Sequence, residues 1–373
     1  METTSTDIAV IGGGPGGYAA AFRAADAGKS VVLIDREERL GGVCLNRGCI
    51  PSKALIHATK LIKEAAAAAA HGIHFEPPRV DLDELRGWKD GVSEKLAKGV
   101  RAIAKARGVN LTRGRASFET SNAIRIDRSS GPTWVEYEHA ILATGSRPLI
   151  PAALDVDDPR VMTSDRALDI PDVPDDLLVI GGGYIGMELG AVYGALGSRV
   201  VVVEALPSIL PTADADLRRY VERAARKSFA SVRVGSRVLA LDVTGDRIRV
   251  DIETEDGSQV AQQADRVLIA VGRRPNTEEL GIQNTRVGLD DAGFVGVDGQ
   301  QRTSDPAILA IGDCAGGTLL AHKATADATR AVATICGEHE AGETAAIPAV
   351  VFTDPEMAWV GFTEQEAQAN GIE

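Results

Sequence analysis

The fold is constrained most by a short unit of strand, glycine turn, helix and strand that occurs twice in the chain. The first copy opens with an apolar segment at residues 7–11, which predicts a buried strand. A turn of the form G-x-G-x-x-G follows, then a helix over about 18–27 and a strand at 30–34. This second strand leads to Asp35, 18 residues after the last pattern glycine. The pattern glycines are Gly12, Gly14 and Gly17.

The second copy repeats this order with the same interval. A strand at 176–180, a helix at 185–196 and a strand at 199–203 lead to Glu204, 18 residues after the last glycine of the turn. Such glycines let the backbone approach a pyrophosphate at a helix N-terminus, and the acid can accept hydrogen bonds from a ribose. A single copy could be an ordinary glycine-rich turn that an acidic residue follows by coincidence. Because the pattern occurs twice with the same spacing, it indicates two dinucleotide-binding sites. The glycines of the second turn are Gly181, Gly183 and Gly186.

Glu204 indicates that the second site takes NAD rather than NADP. A carboxylate accepts hydrogen bonds from a free ribose 2′-hydroxyl, but it repels a 2′-phosphate. The four residues that follow, 205–208, include no arginine that could hold such a phosphate. We therefore expect a preference for NAD at this site.

A stretch with two cysteines, residues 41–53, indicates redox chemistry. Cys44 and Cys49 would point about 140° apart on one helix, at roughly 100° per residue. They can meet only if Cys44 lies in a loop and Cys49 at the mouth of a helix that starts at Pro51 and runs to about residue 70. A helix N-terminus stabilises a thiolate, and Lys53 adds a positive charge. A structural disulfide and a pair of zinc ligands are the alternatives, although the other two cysteines supply no second zinc pair.

The whole-chain properties exclude several classes of partner. The chain has 373 residues, enough for two or three domains, and its net charge of −13 argues against nucleic acid or an anionic membrane as a partner. It contains no apolar run long enough to cross a membrane. The first strand starts near residue 7, which leaves no room for a signal peptide. We therefore expect a cytoplasmic location, where a close cysteine pair is more often catalytic than structural.

The rest of the pattern predicts alternating strands and helices around the two glycine units. Residues 148–174 hold several prolines and are predicted to connect the two halves with little regular structure. Asp313 follows a short buried strand, where it could bind sugar-like hydroxyls or simply cap a turn. Helices are predicted at 80–108, 319–335 and 363–370, and strands at 139–143, 266–271, 308–311, 349–352 and 357–361, with short strands over 109–137 and 231–265.

These motifs resemble those of the flavin- and pyridine-nucleotide-dependent disulfide oxidoreductases of class I. The resemblance runs from residue 7 to residue 373, and within the family it is nearest to the dihydrolipoamide-oxidising branch. It implies an α/β protein with two Rossmann-like dinucleotide-binding domains, a central domain and the start of an α+β interface domain. The most specific segments are 41–55, 143–146, 181–188, 271–276, 310–313 and 319–324.

The resemblance also implies which residues bind each cofactor. The first glycine turn and Asp35 would bind FAD, and the second turn and Glu204 would bind NAD. The full FAD set is Gly12, Gly14, Pro15, Gly16, Gly17, Asp35, Arg36, Gly41, Gly42, Val43, Cys44, Lys53, Gly114, Ala116, Ala143, Thr144, Gly145, Ser146, Gly312, Asp313, Leu319, Leu320, Ala321 and His322. The NAD set is Gly181, Gly183, Tyr184, Ile185, Gly186, Glu188, Glu204, Val238, Gly272 and Arg273.

The family pattern further implies the catalytic roles. Cys49 would face the flavin, Cys44 would exchange with the substrate, and Lys53 would pair with Glu188. Dihydrolipoamide would then be oxidised to lipoamide through a Cys44–Cys49 disulfide and FAD, with hydride passed to NAD. The implied partners are dihydrolipoamide on a carrier domain of a 2-oxo acid dehydrogenase complex and, in the full-length form, a second copy of the chain. No metal is expected.

The domains implied are an FAD domain at 1–150, an NAD domain at 151–272, a central domain at 273–345 and the beginning of a dimerisation domain at 346–373. On the order of 100 residues of that last domain, a typical domain length, are expected to be missing. They would include the histidine of the catalytic base, for which this chain offers no candidate. His322 lies in the flavin motif, and the other histidines match nothing catalytic: His57, His71, His74, His139 and His339.

Two alternatives stay open at this point. One is another enzyme of the same group, such as mercuric reductase, whose extra cysteines would lie beyond residue 373. The other is a fragment that binds FAD but has little catalytic activity. A glutathione-type reductase is disfavoured, because Glu204 does not suit NADPH.

Overall fold

The computed structural model describes residues 3–338 and 346–372, so His339 lies outside the described residues. Within it the chain divides into two units, each assembled from three separate segments. The first unit combines Met1–Asn46, Ser93–Arg147 and Arg273–Ile347. The second combines Arg47–Val92, Pro148–Gly272 and Pro348–Glu373. Each unit contains one of the two glycine turns at the edge of its own sheet, so the predicted α/β class is confirmed.

The helices of the described residues range from single turns to the 25-residue α4. α1 follows the first glycine turn and buries a stripe of small residues that includes Ala20 and Ala24, four positions apart on one face. None of the described helices is both long and apolar enough to cross a bilayer. The bounds are α1 Pro15–Asp26, α2 Gly42–Arg47, α3 Cys49–Ala67, α4 Leu82–Ala106, α5 Ser164–Leu168, α6 Tyr184–Leu196, α7 Ala215–Ser228, α8 Ala321–Ile335 and α9 Glu364–Ala369.

The strands are short, and most of them are buried on at least one face. Their bounds are β1 Thr3–Ile11, β2 Val31–Asp35, β3 Asn110–Arg113, β4 Arg115–Thr120, β5 Ala123–Asp127, β6 Thr133–Leu142, β7 Ser146–Pro148, β8 Val161–Thr163, β9 Asp176–Ile180, β10 Arg199–Val203, β11 Ser231–Arg233, β12 Arg237–Asp242, β13 Ile248–Glu253, β14 Gln259–Ala264, β15 Arg266–Ile269, β16 Arg273–Pro275, β17 Ile308–Ala310, β18 Ala349–Val351 and β19 Met357–Trp359.

In the first unit, β6 joins three neighbours into one sheet. The order is β3-β2-β1-β6-β5-β4, and β17 also pairs with β6. β1, β2, β3, β6 and β17 pair in parallel, whereas β4, β5 and β6 pair antiparallel. The parallel strands end at one edge of the sheet, where ligands of such sheets bind. Gly12, Asp35, Ala143 and Gly312 all lie at or just beyond these strand ends.

The second unit repeats this plan with an all-parallel sheet in the order β11-β10-β9-β15-β8. Strand β9 is central, and its residues Leu177 to Val179 are almost completely buried, as expected for a parallel strand covered on both faces. Gly181 and Glu204 lie beyond the ends of β9 and β10. The unit also holds the antiparallel sheet β12-β13-β14 and the antiparallel pair β18-β19.

Several predicted boundaries are wrong by a few residues. β1 starts at Thr3 rather than at residue 7, because the polar residues at its start still pair with β6. α1 starts at Pro15 rather than at residue 18, since proline is well suited to the first helical position. The strand predicted at 139–143 is the end of the longer β6, Thr133–Leu142.

Two larger features were not found from the sequence. Residues 148–174 have little regular structure, as predicted, but the short elements β8 and α5 lie within them. β8 has three residues and pairs with β15, about a hundred positions further along the chain, so no local pattern reveals it. The helix α7 was not predicted, because its sequence is dominated by charged residues and only Val221 and Ala225 are buried.

Candidate functional site

The first glycine turn excludes side chains where its backbone segments meet. Gly12 has a φ of 105°, and a Cβ atom on it would lie 2.3 Å from the carbonyl oxygen of Ala143. A Cβ atom on Gly17 would lie 1.7 Å from the carbonyl oxygen of Gly12. Both distances are far below normal contact, so β1, α1 and the end of β6 approach as closely as their backbones permit.

The N-terminus of α1 fits a bound pyrophosphate. Its N-cap residue, Gly14, offers no side chain to the first-turn N–H groups, and this turn carries no acidic residue. The partial positive charge of the helix end is therefore not neutralised locally. The Gly41 N–H donates to the Gly13 carbonyl at 2.8 Å, and a Cβ atom on Gly42 would lie 2.7 Å from the Gly14 Cα. The loop before α2 thus lies directly against the turn.

The carboxylate of Asp35 is bound to the same turn. Its Oδ2 accepts a hydrogen bond from the Gly13 N–H at 2.6 Å, and its Oδ1 accepts one from the Glu37 N–H at 2.8 Å. Burial raises the pKa of Asp35, while these two backbone hydrogen bonds oppose the rise. Asp35 therefore lies beside the turn, at the place where the sequence predicts a ribose ligand.

A polar cluster in the first unit joins the segment after β6 to the turn after β17. The Ser146 hydroxyl donates to Asp313 Oδ2 at 2.5 Å. Arg273 donates from Nε to the Ser146 hydroxyl at 2.7 Å and from Nη2 to the Ser146 carbonyl at 2.8 Å. The Asn276 side chain donates to the Thr144 carbonyl at 3.0 Å. Arg273, predicted in the NAD set, is thus placed among residues predicted for FAD.

The turn that carries Asp313 is held by a buried ion pair that the sequence analysis missed. Asp327 is 3% exposed, and its Oδ2 lies 2.8 Å from Lys323 Nζ and accepts from the Gly312 N–H at 3.0 Å. Lys323 also donates to the carbonyls of Gly312 and Gly316 at 3.2 and 2.9 Å. The i,i+4 spacing of Lys323 and Asp327 on a helix was the available signal.

The second glycine turn has nearly the same geometry. Gly181 has a φ of 107°, and a Cβ atom on it would lie 2.3 Å from the Ala270 carbonyl oxygen. A Cβ atom on Gly186 would lie 2.1 Å from the Gly181 carbonyl oxygen. The N-cap of α6 is Gly183, and its first turn again has no capping side chain and no acid. This helix end therefore also fits a pyrophosphate.

Glu204 binds the second turn as Asp35 binds the first. Its Oε2 accepts from the Gly182 N–H at 2.6 Å, and its Oε1 accepts from the Leu206 N–H at 2.7 Å. Glu204 is 8% exposed, so the carboxylate is fixed in place beside the turn. A 2′-phosphate at this position would meet its negative charge directly.

The second unit also contains an ion pair at the start of α3. Lys53 Nζ lies 2.7 Å from Glu188 Oε2, and the Glu188 side chain is 3% exposed. The other oxygen, Oε1, accepts from the Phe352 N–H at 3.0 Å. The structure thus places together Lys53 and Glu188, as the resemblance implies, and adds Phe352, which the sequence analysis did not identify.

The two cysteines of the predicted redox pair flank a break between helices. Cys44 lies in α2, and not in a loop as predicted, while Cys49 is the first residue of α3. The predicted helix start at Pro51 is therefore two residues late. Gly48 separates the two helices with a non-helical φ of −149° and ψ of −114°. Cys49 therefore lies at the positive end of α3, and Lys53 lies one turn further along the same helix, on the same side of it.

The other two cysteines have structural surroundings. Cys314 is completely buried, and its thiol lies 3.3 Å from the Ile311 carbonyl. Burial raises the pKa of the Cys314 thiol, which keeps it protonated. Cys336 ends α8. Among residues 3–338 and 346–372, no group of three or more His, Cys, Asp or Glu side chains is arranged to hold a metal ion.

The remaining predicted residues lie in three kinds of place. Ala116 and Val238 are buried strand residues of β4 and β12, one in each unit. Leu320 is the N-cap of α8, and Ala321 and His322 open that helix. Short turns hold Arg36, Gly114 and Gly272.

Comparison with known sequences identifies the family. The sequence profile described as pyridine nucleotide-disulphide oxidoreductase matches residues 6–328, and the dimerisation-domain profile of the same family matches residues 347–373. The chain belongs to the pyridine nucleotide-disulphide oxidoreductase family. Relatives within this family include dihydrolipoyl dehydrogenases of Vibrio cholerae, 42% identical over 98% of this chain, and of Haloferax volcanii, 44% identical over 99%. These matches cover 77% and 78% of the two relatives.

Solved structures share the fold. LpdA from Mycobacterium tuberculosis superimposes with a TM-score of 0.89 at 28% identity, covering 98% of this chain and 80% of LpdA. The flavoprotein disulfide reductase RclA from Escherichia coli gives a TM-score of 0.84 at 25% identity, with the same coverage. The predicted membership of the disulfide oxidoreductase family is therefore confirmed.

Proposed function

We propose that this chain is an NAD-dependent dihydrolipoyl dehydrogenase, which oxidises dihydrolipoamide to lipoamide. The relatives of more than 40% identity carry that name. The observation that carries the proposal is the position of Cys49 as the first residue of α3, one turn before Lys53. A cysteine there is favoured as a thiolate, which is the form that a disulfide oxidoreductase needs.

Two matched nucleotide turns supply the cofactor sites of the proposal. The first turn, Asp35 and the Ser146–Asp313 cluster would hold FAD, and the second turn and Glu204 would hold NAD. Bound FAD and NAD would supply two-electron and hydride transfer. The chain contributes the backbone N–H groups, the carboxylates and the narrow glycine contacts that fix both nucleotides.

The thiol chemistry of the proposal uses Cys44 and Cys49. One thiolate of dihydrolipoamide attacks the Cys44 sulfur, and the Cys44–Cys49 bond breaks with Cys49 leaving as a thiolate. The second substrate thiolate then attacks the substrate sulfur of the mixed disulfide and releases Cys44. The substrate passes two electrons to the cysteine pair, and its two thiol protons go to the solvent. Lys53 stabilises the departing thiolate of Cys49 by its charge.

The proposal extends to domains, partners and location. The FAD domain would be 1–150, the NAD domain 151–272, the central domain 273–345 and the start of the dimerisation domain 346–373. The match of residues 347–373 to a dimerisation-domain profile supports a homodimer. The substrate would be carried by a lipoyl carrier domain of a 2-oxo acid dehydrogenase complex, and the protein would act in the cytoplasm.

A thiol and activity assay tests this function. We expect the oxidised protein to gain two titratable thiols on treatment with excess dihydrolipoamide, and NAD to be reduced in the same mixture. Cys44→Ser and Cys49→Ser should each abolish the oxidation of dihydrolipoamide, because no disulfide can form. Transfer from NADH to an artificial acceptor should persist in both variants, since it needs only the nucleotide sites.

Cys336→Ser is the matched control, because it removes a cysteine outside the proposed pair. It should leave both activities near those of the parent. A protein that binds FAD but oxidises no dihydrolipoamide would contradict the proposed reaction. Turnover of dihydrolipoamide by Cys44→Ser at the parental rate would contradict the assignment of the cysteine pair.

A further inference from the structure

Phe352 contacts both members of the Lys53–Glu188 ion pair with two different groups. Its backbone N–H donates to Glu188 Oε1 at 3.0 Å. Its ring lies under the ammonium group of Lys53, with Nζ 4.6 Å from the ring centroid. A distance of this size is typical of a cation–π contact. One residue therefore orients the carboxylate and attracts the cation that the carboxylate binds.

This arrangement provides a hydrogen-bond partner for each oxygen of the buried Glu188 carboxylate. The Glu188 side chain is 3% exposed, and a buried carboxylate requires hydrogen-bond partners for both of its oxygens. Lys53 occupies Oε2 at 2.7 Å, and the Phe352 N–H occupies Oε1. The Lys53 side chain is 29% exposed, so its ammonium group would otherwise have room to move toward solvent. The ring of Phe352 and the carboxylate together limit that movement.

The position of the ammonium group matters because of its place on α3. Cys49 is the first residue of this helix and Lys53 lies one turn further in, so the cation adds to the positive end of the helix dipole. We infer that Phe352 is a positioning residue that holds the charge of Lys53 near Cys49 and thereby increases the reactivity of that thiol. The inference rests on the proposed function, in which Cys49 works as a thiolate.

The same contact gives the dimerisation-domain segment a part in the redox site of its own chain. Phe352 follows β18, whose last residue Val351 is 3% exposed, and Met357 of the paired β19 is 7% exposed. Both side chains belong to the core of the second unit, together with Leu55 of α3. Phe352 is therefore held by a packed pair of strands and not by a free loop.

The test measures alkylation of Cys49 by iodoacetamide as a function of pH, located by mass spectrometry. The protein is used in its reduced form, with Cys44→Ser as background so that no disulfide competes. We expect Phe352→Leu, which keeps the N–H but removes the ring, to slow alkylation at pH 7 about threefold. Lys53→Met should slow it about tenfold. Phe352→Tyr keeps a ring and should restore the parental pH profile.

Phe362→Leu is the matched control, because Phe362 lies in the same segment but is 65% exposed. It should leave the pH profile unchanged, and thermal unfolding of every variant should show a folded protein. An alkylation profile of Phe352→Leu that equals the parental one would overturn the inference. Equal slowing of Cys49 alkylation in Phe352→Leu and Phe352→Tyr would also overturn it, because the aromatic ring would then not be responsible. The proposed function is judged separately by the thiol count of the parent protein, so the two failures are distinguishable.

Discussion

The two glycine turns have almost the same backbone but differ in what lies against them. In both turns the first glycine has a φ near 105°, and a Cβ atom added to it would lie 2.3 Å from a backbone carbonyl oxygen. In both, a carboxylate accepts a hydrogen bond of 2.6 Å from the second glycine. Backbone also lies against both turns, because the Gly41 N–H donates to the Gly13 carbonyl at 2.8 Å and the Leu210 N–H donates to the Gly182 carbonyl at 2.9 Å. The turns differ at the N-cap residue: a Cβ atom on Gly14 would lie 3.8 Å from the Gly42 Cα, whereas a Cβ atom on Gly183 would meet nothing within 4 Å.

In the proposed function the first turn would hold a cofactor that stays bound, and the second would hold a nucleotide that exchanges. The more open N-cap residue of the second turn suits such exchange. The predictions that follow compare the two units, from the largest expected effect to the smallest.

The largest effect is expected at the last glycine of the first turn. Gly17→Ala would place a methyl group 1.7 Å from the Gly12 carbonyl oxygen, so β1 and α1 would have to separate. We expect a loss of about 3 kcal/mol in the free energy of unfolding, together with loss of bound flavin. Urea denaturation and flavin absorbance measure both. Gly183→Ala, at a position where a Cβ atom would meet nothing within 4 Å, is the control and should change neither. Equal damage in both variants would show that the close approach at Gly17 is not the cause.

The second prediction concerns the buried Lys323–Asp327 ion pair of the first unit. Asp327→Asn should lower the free energy of unfolding by about 2 kcal/mol, because Lys323 loses its buried counter-charge. Flavin should be released more readily, since the Gly312 turn depends on Asp327. NAD affinity should not change, and equilibrium dialysis measures it. Thr325→Ala, on the exposed face of the same helix, is the control.

The third prediction concerns nucleotide choice at the open turn. Glu204→Arg should shift the ratio of NADH to NADPH activity toward NADPH by about 10- to 100-fold, because repulsion of the 2′-phosphate is replaced by attraction. Steady-state rates with an artificial acceptor give the ratio. Glu356→Arg adds the same charge at an exposed position of the same unit and should leave it unchanged. A parent that prefers NADPH would show that Glu204 does not select the nucleotide.

The smallest effect concerns the response to acid. Arg160 donates two hydrogen bonds to Asp158 and lowers the pKa of that carboxyl to about 2. A depressed pKa gives stability that is present above the unfolded value of 3.8 and is lost as the pH falls toward 2. We expect this partly buried surface pair to contribute about 1 kcal/mol, so Asp158→Asn should be less stable than the parent at pH 5 and equal to it only below about pH 2.

Asp35 in the first unit should respond in the opposite direction. Burial raises the pKa of Asp35, so its ionised form weakens the folded state, and this loss is relieved as the pH falls through the raised pKa. Asp35→Asn should therefore remove a gain in stability on mild acidification. Unfolding curves between pH 6 and pH 2 for both variants separate the two effects, and curves that move together would contradict the assignment.

The sequence predicts best those features that are formed by residues close together in the chain. Each glycine turn, its helix and its acid lie within about thirty residues, the length of one βαβ unit, and the spacing alone located Asp35 and Glu204. The strand bounds of β9 and β10 were also correct. The family resemblance, and not the spacing, paired Lys53 with Glu188, because 135 residues separate them.

The sequence could not reveal contacts that depend on how distant segments pack. Phe352 reaches Glu188 across 164 residues, and an aromatic residue after a short strand is ordinarily read as part of a core. β8 has too few residues to show a period, and its partner lies far along the chain. Cys44 was assigned to a loop because two cysteines five positions apart on one helix could not meet. The sequence did not reveal α2, which has only six residues, too few for a helical pattern to appear.

The position of β17 has a consequence for the order in which the protein can fold during synthesis. The second unit's five-stranded sheet uses strands that all lie between residues 161 and 269. The first unit's sheet needs β17, at Ile308–Ala310, beside β6, whose pairing residues left the ribosome about 170 residues earlier. The sheet that begins first is therefore completed after the five-stranded sheet of the second unit, and its β6 edge must wait, unpaired at that end, while that five-stranded sheet is already able to form.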